Sequence, residues 1–282
     1  MKEFVEVHEL VPERLWALDE IRRTTMFVVN GDDRAMLVDT GFGLSDLRGI
    51  VSRLCGDKPV LCVNTHAHGD HNSGNSQFNT VAVGRFDEPF SHNMKTPEQR
   101  ETGKKGLLSF IGNSLEGYAF DPAAWKPGSA GRMIPLTEGD KLELGGMIFR
   151  VMETPGHTLG SIALLEESLG WLFTGDTVLT WEVWGQLGIS SALRVYADSL
   201  ERLAALEDLT WVYPAHAADD PPEGYERYRL PPELLRIYAE GTRRIVDGKE
   251  QGRDYTEKNP AFCGMRYVLF SCGGMAYDPE RI

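Results

Sequence analysis

The chain has 282 residues, 41% of them apolar and 25% charged, with a formal net charge of −13. That balance suits a globular protein with a large buried core and excludes a chain too polar to fold. The acidity argues against nucleic acid as a partner, because affinity for a phosphate backbone comes mainly from clustered Lys and Arg.

No stretch reaches the roughly 18 apolar residues that would span a bilayer, and the first residues carry neither a basic leader nor an apolar h-region. The expectation is a soluble, cytosolic protein that meets a small molecule and neither nucleic acid nor membrane; nothing in the sequence sets an oligomeric state. Cys55, Cys62, Cys263 and Cys272 lack Cys-x-x-Cys spacing. If residues 266–270 are extended, Cys263 and Cys272 stand well beyond the roughly 7 Å that a disulfide allows. Free thiols are expected.

In chain order, residues 25–29 and 35–39 are β-branched apolar runs separated by Asn30-Gly31-Asp32-Asp33, a hairpin pattern. Leu47, Ile50, Val51 and Leu54 follow at helical spacing, with Ser45 as cap and Gly56 as stop. The strand 60–63 then runs directly into a histidine-rich segment. Residues 85–132 hold helix-like and Pro/Gly-rich pieces and exceed what a connection needs, so they read as a pocket wall or lid.

The second half repeats the order: strands at 147–152, 162–165 and 171–173, an amphipathic helix at 193–206, and a strand at 211–213. Two similar half-units with sheets inside and helices outside, a four-layer α/β fold, would bury both strand sets. The expected division is 1–230 as one domain, with 231–282 as an extension packed on it: a helix at 233–246 and a last strand at 266–270.

Residues 65–72 read Thr-His-Ala-His-Gly-Asp-His-Asn, placing His66, His68, Asp70 and His71 within six residues. Imidazole nitrogen and carboxylate oxygen are preferred donors for Zn²⁺ and similar ions. One loop cannot close a coordination shell, so further ligands are expected at other strand ends. His157 in Thr-Pro-Gly-His-Thr, Asp176 in Phe-Thr-Gly-Asp-Thr and His216 in Tyr-Pro-Ala-His all stand there.

That ordered set resembles the metallo-β-lactamase superfamily of metal-dependent hydrolases. The resemblance covers about residues 25–216 and implies an αββα sandwich with two pseudo-equivalent halves and a two-metal site at one edge. It also implies one Zn²⁺ on His66, His68 and His157, a second on Asp70, His71 and His216, and Asp176 between them. Mn, Fe and Ni compete for such N/O donors. A carboxylate at Asp176 points away from the true β-lactamases and towards glyoxalase II-like thioesterases, lactonases and phosphodiesterases. His68 departs from the flavodiiron pattern, and Leu179 stands where lactone-cleaving members often have tyrosine. Asp39 resembles a family position that buttresses the metal loop, with a plain turn aspartate as the alternative.

Two ions sharing a water lower its pKa from 15.7 towards about 7, so a bridging hydroxide can attack a carbonyl or phosphoryl centre at neutral pH. Asp70 is the candidate catalytic residue, binding metal and steering that water's proton. Two Zn²⁺, two carboxylates and a hydroxide sum to roughly +1, which would attract anionic substrates. His92 in the insertion, and Trp181 and Trp184 beyond Asp176, are candidate substrate contacts; a surface histidine and ordinary core packing are the plainer readings. Phe90, Tyr118 and Trp125 are candidates for the same aromatic pocket.

The expectation is a binuclear zinc hydrolase acting on a thioester, ester or lactone. The rivals are a mononuclear-iron, persulfide dioxygenase-like oxidoreductase and a phosphodiesterase or ribonuclease.

Overall fold

The computed structural model describes residues 2–282 apart from Asn93 and Lys95; the side chain of His92 also lies outside the described residues. The first half runs β1 (Val5–Val11), β2 (Leu15–Glu20), β3 (Thr24–Asn30), β4 (Ala35–Val38), α1 (Leu47–Cys55), β5 (Val60–Asn64), α2 (Gly69–Asn72), β6 (Thr80–Gly84), α3 (Pro97–Ile111) and β7 (Arg132–Leu136). The second runs β8 (Lys141–Glu143), β9 (Ile148–Glu153), β10 (Ile162–Glu166), β11 (Trp171–Gly175), β12 (Glu182–Trp184), α4 (Leu193–Ala204) and β13 (Trp211–Pro214). The chain ends with α5 (Glu233–Val246), β14 (Arg253–Asp254), β15 (Arg266–Leu269) and β16 (Gly274–Tyr277).

β1 to β7 form one sheet in sequence order, β13-β11-β10-β9-β8 a second, and β12-β16-β15-β14 a third. Strand side chains alternate between faces, and that alternation builds the layers. On β3, Met26 and Val28 pack with Leu47, Ile50 and Val51 of α1, whereas Phe27 and Val29 meet the second sheet. On β10, Ile162 and Leu164 face the first sheet, whereas Ala163 and Leu165 pack with Tyr196 and Leu200 of α4. Phe27, Phe149, Phe173 and Tyr213 form an aromatic knot between the sheets, with Phe173 stacked on Tyr213 at 4.7 Å. Strands buried on both faces explain why these segments read as near-continuous apolar runs.

The expected internal parallel holds at the level of topology. β3 and β4 are antiparallel and β5 returns parallel to β4 after α1; β10 and β11 are antiparallel and β13 returns parallel to β11 after α4. Metal-type residues therefore emerge from matched strand ends. Asp39 follows β4 as Asp176 follows β11, and His66 follows β5 as His216 follows β13.

The cap of α1 is Asp46, whose carboxylate accepts from Gly49 N at 3.0 Å, while the Ser45 carbonyl accepts from Gln77. Gly56 does end that helix, in the left-handed region at φ 72°. β1, β2, β6 and β7 lengthen the first sheet beyond the strands expected. In the insertion, Thr96 and Gln99 form a capping box for α3. Leu107 and Ile111 of α3 pack with Ile21, Phe42 and Trp125 in a separate core. At the C-terminal end, Leu234, Leu235 and Tyr238 of α5 join the core around α4, and β16 pairs with β12 beside the site. No described helix is long and apolar enough to cross a membrane.

Candidate metal centre

Five of the seven histidines and two aspartates converge where the inner sheets end. Asp176 Oδ2 is central: it lies 3.2 Å from His216 Nε2, 3.4 Å from His157 Nε2, 3.6 Å from His71 Nε2 and 3.9 Å from His66 Nε2. Asp70 Oδ2 lies 3.4 Å from His71 Nε2 and 3.6 Å from His216 Nε2. His68 Nδ1 stands 2.8 Å from His157 Nε2. Three donor groups with metal-binding spacing result: His66, His68 and His157; His66, His71 and Asp176; and Asp70, His71 and His216.

The outer nitrogens fix the tautomers. His157 Nδ1 and His216 Nδ1 each face a backbone carbonyl, of Trp184 and Arg23 respectively, which can only accept, so each Nδ1 carries the proton. His71 Nδ1 donates to Asp39 Oδ2 at 3.2 Å. Thr65 Oγ1 spends its hydrogen on Asp39 Oδ2 and so accepts from His66 Nδ1 at 3.0 Å. In the neutral form of each of the four rings, the Nε2 lone pair therefore points inward. Nε2 of His66 and of His71, and Oδ1 of Asp176, are buried without a hydrogen-bond partner. Such orphans cost about 1–3 kcal/mol each unless something binds them, and convergent lone pairs from N and O donors suit a divalent cation.

Charge follows from the same packing. Burial resists protonation of His66, His68 and His157, keeping them below the ordinary histidine range, with His68 down to about 4. Burial also opposes ionising Asp70 and Asp176, yet His71 and His216 outweigh it and hold both carboxyls well below their usual range. His71 and His216 are raised in turn by those carboxylates, against the burial of their own rings.

Backbone conformation places the candidate ligands. Gly175 has φ +54°, and a Cβ there would sit 2.5 Å from Thr65 Oγ1, so the turn presenting Asp176 requires glycine. A Cβ on Gly156 would collide with the Tyr196 ring. Asp39 accepts from Thr65 N at 2.7 Å as well as from Thr65 Oγ1 and His71, which makes it the buttress of the metal loop.

Asp87, which sequence reasoning did not single out, ties together the two loops that carry His66, His68 and His157. Its Oδ2 accepts from Ala67 N at 2.8 Å and Thr158 Oγ1 at 2.7 Å, and its Oδ1 from Gly160 N at 2.8 Å. The available signal was an aspartate just past the apolar run 80–84, as Asp39 and Asp176 lie past theirs. The Trp184 and Arg23 carbonyls had no such signal, since every residue carries one.

The centre forms the floor of a cavity of about 630 Å³. Leu107, Phe110 and Leu179 give it an apolar side, and Arg22 and Arg23 line another part. Trp181 and Trp184 also line it; Trp181 stands 6.1 Å from the His216 ring, and Trp184 bonds to Tyr255 Oη through Nε1. The wider aromatic pocket does not form. Trp125 is buried against Phe42, whose carbonyl takes its indole N–H, and Tyr118 stacks on Phe4. Phe90 is exposed and is not among the lining residues. His92 closes the turn Phe90–His92, but its side chain is not described. No tyrosine is among the described lining residues, in keeping with leucine at 179.

Known proteins resemble this chain in sequence and in fold. A family model described as the metallo-beta-lactamase superfamily matches residues 20–216. The acyl-coenzyme A thioesterase MBLAC2 of Bos taurus is 28% identical over 201 residues, covering 66% of this chain and 69% of that protein. A hydroxyacylglutathione hydrolase of Rhodospirillum rubrum is 31% identical over 159 residues, 56% of this chain and 48% of the relative. Among solved structures, an archaeal metallo-beta-lactamase superfamily protein from Sulfolobus tokodaii superposes with a TM-score of 0.58 at 18% identity, covering 85% of this chain and 89% of that one. A metallo-beta-lactamase family protein from Thermus thermophilus gives 0.56 at 20% identity, covering 87% and 81%. At such identities the structural likeness speaks to the fold alone.

Proposed function

The chain belongs to the metallo-β-lactamase superfamily, and from that premise we propose that it is a zinc-dependent, two-metal hydrolase of small thioesters. The observation that carries the reading is the set of inward-facing lone pairs around Asp176 at the floor of a cavity with an apolar side. His66, His68 and His157 would hold one ion, Asp70, His71 and His216 the other, and Asp176 would serve both. When bound, the metal supplies water acidified to near neutrality and polarisation of the carbonyl oxygen.

The remaining work falls to the chain. Asp70, facing the cavity, accepts a hydrogen bond from the attacking water, orients it and carries its proton to the departing sulfur. The C–S bond breaks as the C–O bond forms, and an acid and a thiol leave. Leu107, Phe110 and Leu179 shield the acyl group from bulk water. Thioester is preferred over plain ester or lactone because the named relatives act on acyl-coenzyme A or hydroxyacylglutathione.

We further place residues 1–230 as the family unit and 231–282 as an extension of the same domain. The free thiols of Cys55, Cys62, Cys263 and Cys272 suit a cytosolic setting.

Elemental analysis of purified protein, followed by a panel of thioester, lactone, ester and phosphodiester substrates, tests the proposal. Zinc with thioester turnover supports it; a single iron with O₂ uptake, or phosphodiester cleavage alone, overturns it. Asp70→Asn is expected to lower kcat by about 10²–10⁴-fold, and a variant that keeps both metals and full activity refutes the role given to Asp70.

A further inference from the structure

Resting on the thioesterase reading, we infer that Lys2 and Arg23 form a subsite for an anionic tail on the leaving thiol, a phosphate or carboxylate, in a second cavity that adjoins the metal cavity. This second cavity, also about 630 Å³, shares Arg22, Arg23 and Asp219 with the first and adds Lys2, Asn113, Ser114 and Tyr118. At the Arg22–Arg23 turn the metal cavity meets the second, which gives a polar tail on the substrate a route away from the apolar side.

The charge there runs against that of the whole chain. Asp219, the acidic group common to both cavities, is already taken by two guanidinium groups: Arg22 at 2.7 and 2.9 Å and Arg227 at 2.7 Å. Glu116 is the other carboxylate lining the second cavity. Lys2 and Arg23 make no ion pair among the described residues. Lys2 Nζ rests over the Tyr118 ring at 5.4 Å from its centroid. Arg23 lies 5.0 Å from the Phe110 centroid and gives one N–H to the Phe110 carbonyl at 3.3 Å. Aromatic platforms hold both cations in place and leave most of their N–H donors free, the condition for charge-assisted bonds to an incoming oxyanion.

The turn that carries Arg23 is strained. Ile21 and Arg22 both occupy the left-handed region, at φ 51° and 56°, although neither is glycine and Ile is β-branched. Ile21 N to Phe4 O and Arg23 N to Glu20 O hold the turn closed, and the Arg23 carbonyl accepts a hydrogen bond from His216 Nδ1. One distorted turn thus both orients a centre histidine and aims a guanidinium along the route of the leaving group.

Zinc-loaded wild type and the Lys2→Ala/Arg23→Ala double variant would be assayed on one acyl group carried by three thiols: coenzyme A, glutathione and neutral N-acetylcysteamine. Losing two charge-assisted contacts is expected to lower kcat/KM for the preferred anionic thioester at least tenfold more than for the neutral one. Lys2→Arg/Arg23→Lys should recover most of that difference, and added salt should erode it in wild type. Equal losses on all three thioesters, or a wild type indifferent to the anionic tail, overturn the inference.

Calorimetric titration of metal-stripped protein with adenosine 3′,5′-bisphosphate and with S-methylglutathione separates phosphate from carboxylate recognition without turnover. Binding of either, weakened about tenfold in the double variant, supports the subsite; binding of neither overturns it. Failure of wild type to hydrolyse any of the three thioesters would instead defeat the thioesterase reading, while the titration still judges the subsite.

Discussion

Asp87 offers the sharpest perturbation, because its carboxylate is buried and every oxygen contact can be counted. Replacing it with alanine removes three accepted hydrogen bonds, from Ala67 N, Thr158 Oγ1 and Gly160 N. Thr158 Oγ1 can turn to Ser161 Oγ, 2.7 Å away, so two backbone amides remain stranded. At about 1–3 kcal/mol for each unsatisfied buried donor, Asp87→Ala should cost about 2–6 kcal/mol of folding free energy. Asp87→Asn keeps the volume but faces one donor with another, and should cost about 1–3 kcal/mol.

Because the lost contacts brace the loops carrying His66, His68 and His157, zinc affinity should fall about 10–100-fold in both variants. Urea unfolding of metal-stripped protein gives the first quantity, and competition against a chromogenic chelator gives the second. A variant destabilised as expected but with unaltered zinc affinity would refute the idea that Asp87 ties the ligand loops to one another.

Glu20 predicts a pH dependence. Burial raises its carboxyl from 4.5 to about 7, against the amides of Leu44 and Phe42 that favour the charged form. The native state therefore holds a proton that the unfolded chain has released, so stability should fall by about 3 kcal/mol as pH rises from 4.5 to 7, then level off. Glu20→Gln should flatten that slope in denaturant titrations at several pH values; an unchanged slope would refute the assignment. Adding zinc at 100 times its dissociation constant to stripped protein should stabilise it by about 2.7 kcal/mol, seen as a raised Tm, and magnesium should do far less. Tyr255→Phe removes the bond to Trp184 Nε1. Since the Trp184 carbonyl orients His157, the variant should lose about 1 kcal/mol of stability with a small loss of zinc affinity, read in the same two assays.

The metal-type residues were legible because histidine and aspartate chemistry survives without knowledge of the fold. His66 to His71 announce themselves by spacing, and His157, Asp176 and His216 by standing at strand ends beside Gly or Pro. The hairpin β3–β4 was legible from its β-branched runs and Asn-Gly turn, helix α1 from its spacing and its glycine stop, and helix α5 from its residue pattern. The strands β1 and β6 were present in the sequence too, as the alternation from Val5 to Val11 and the run Thr80–Gly84, but neither was singled out. What periodicity could not disclose is long-range. Asp19 is buried because Arg227, more than two hundred residues away, reaches it at 2.7 Å. β12 spans three residues and exists because β16 pairs with it. The tautomers of His157 and His216 rest on two backbone carbonyls, a kind of group that leaves no mark in a sequence.

The most direct test is a zinc titration of stripped protein followed by thioester turnover. Activity should rise with added zinc and reach its plateau at two equivalents per chain. Turnover that is absent at every zinc loading, or that plateaus at one equivalent of iron with consumption of O₂, would contradict the account.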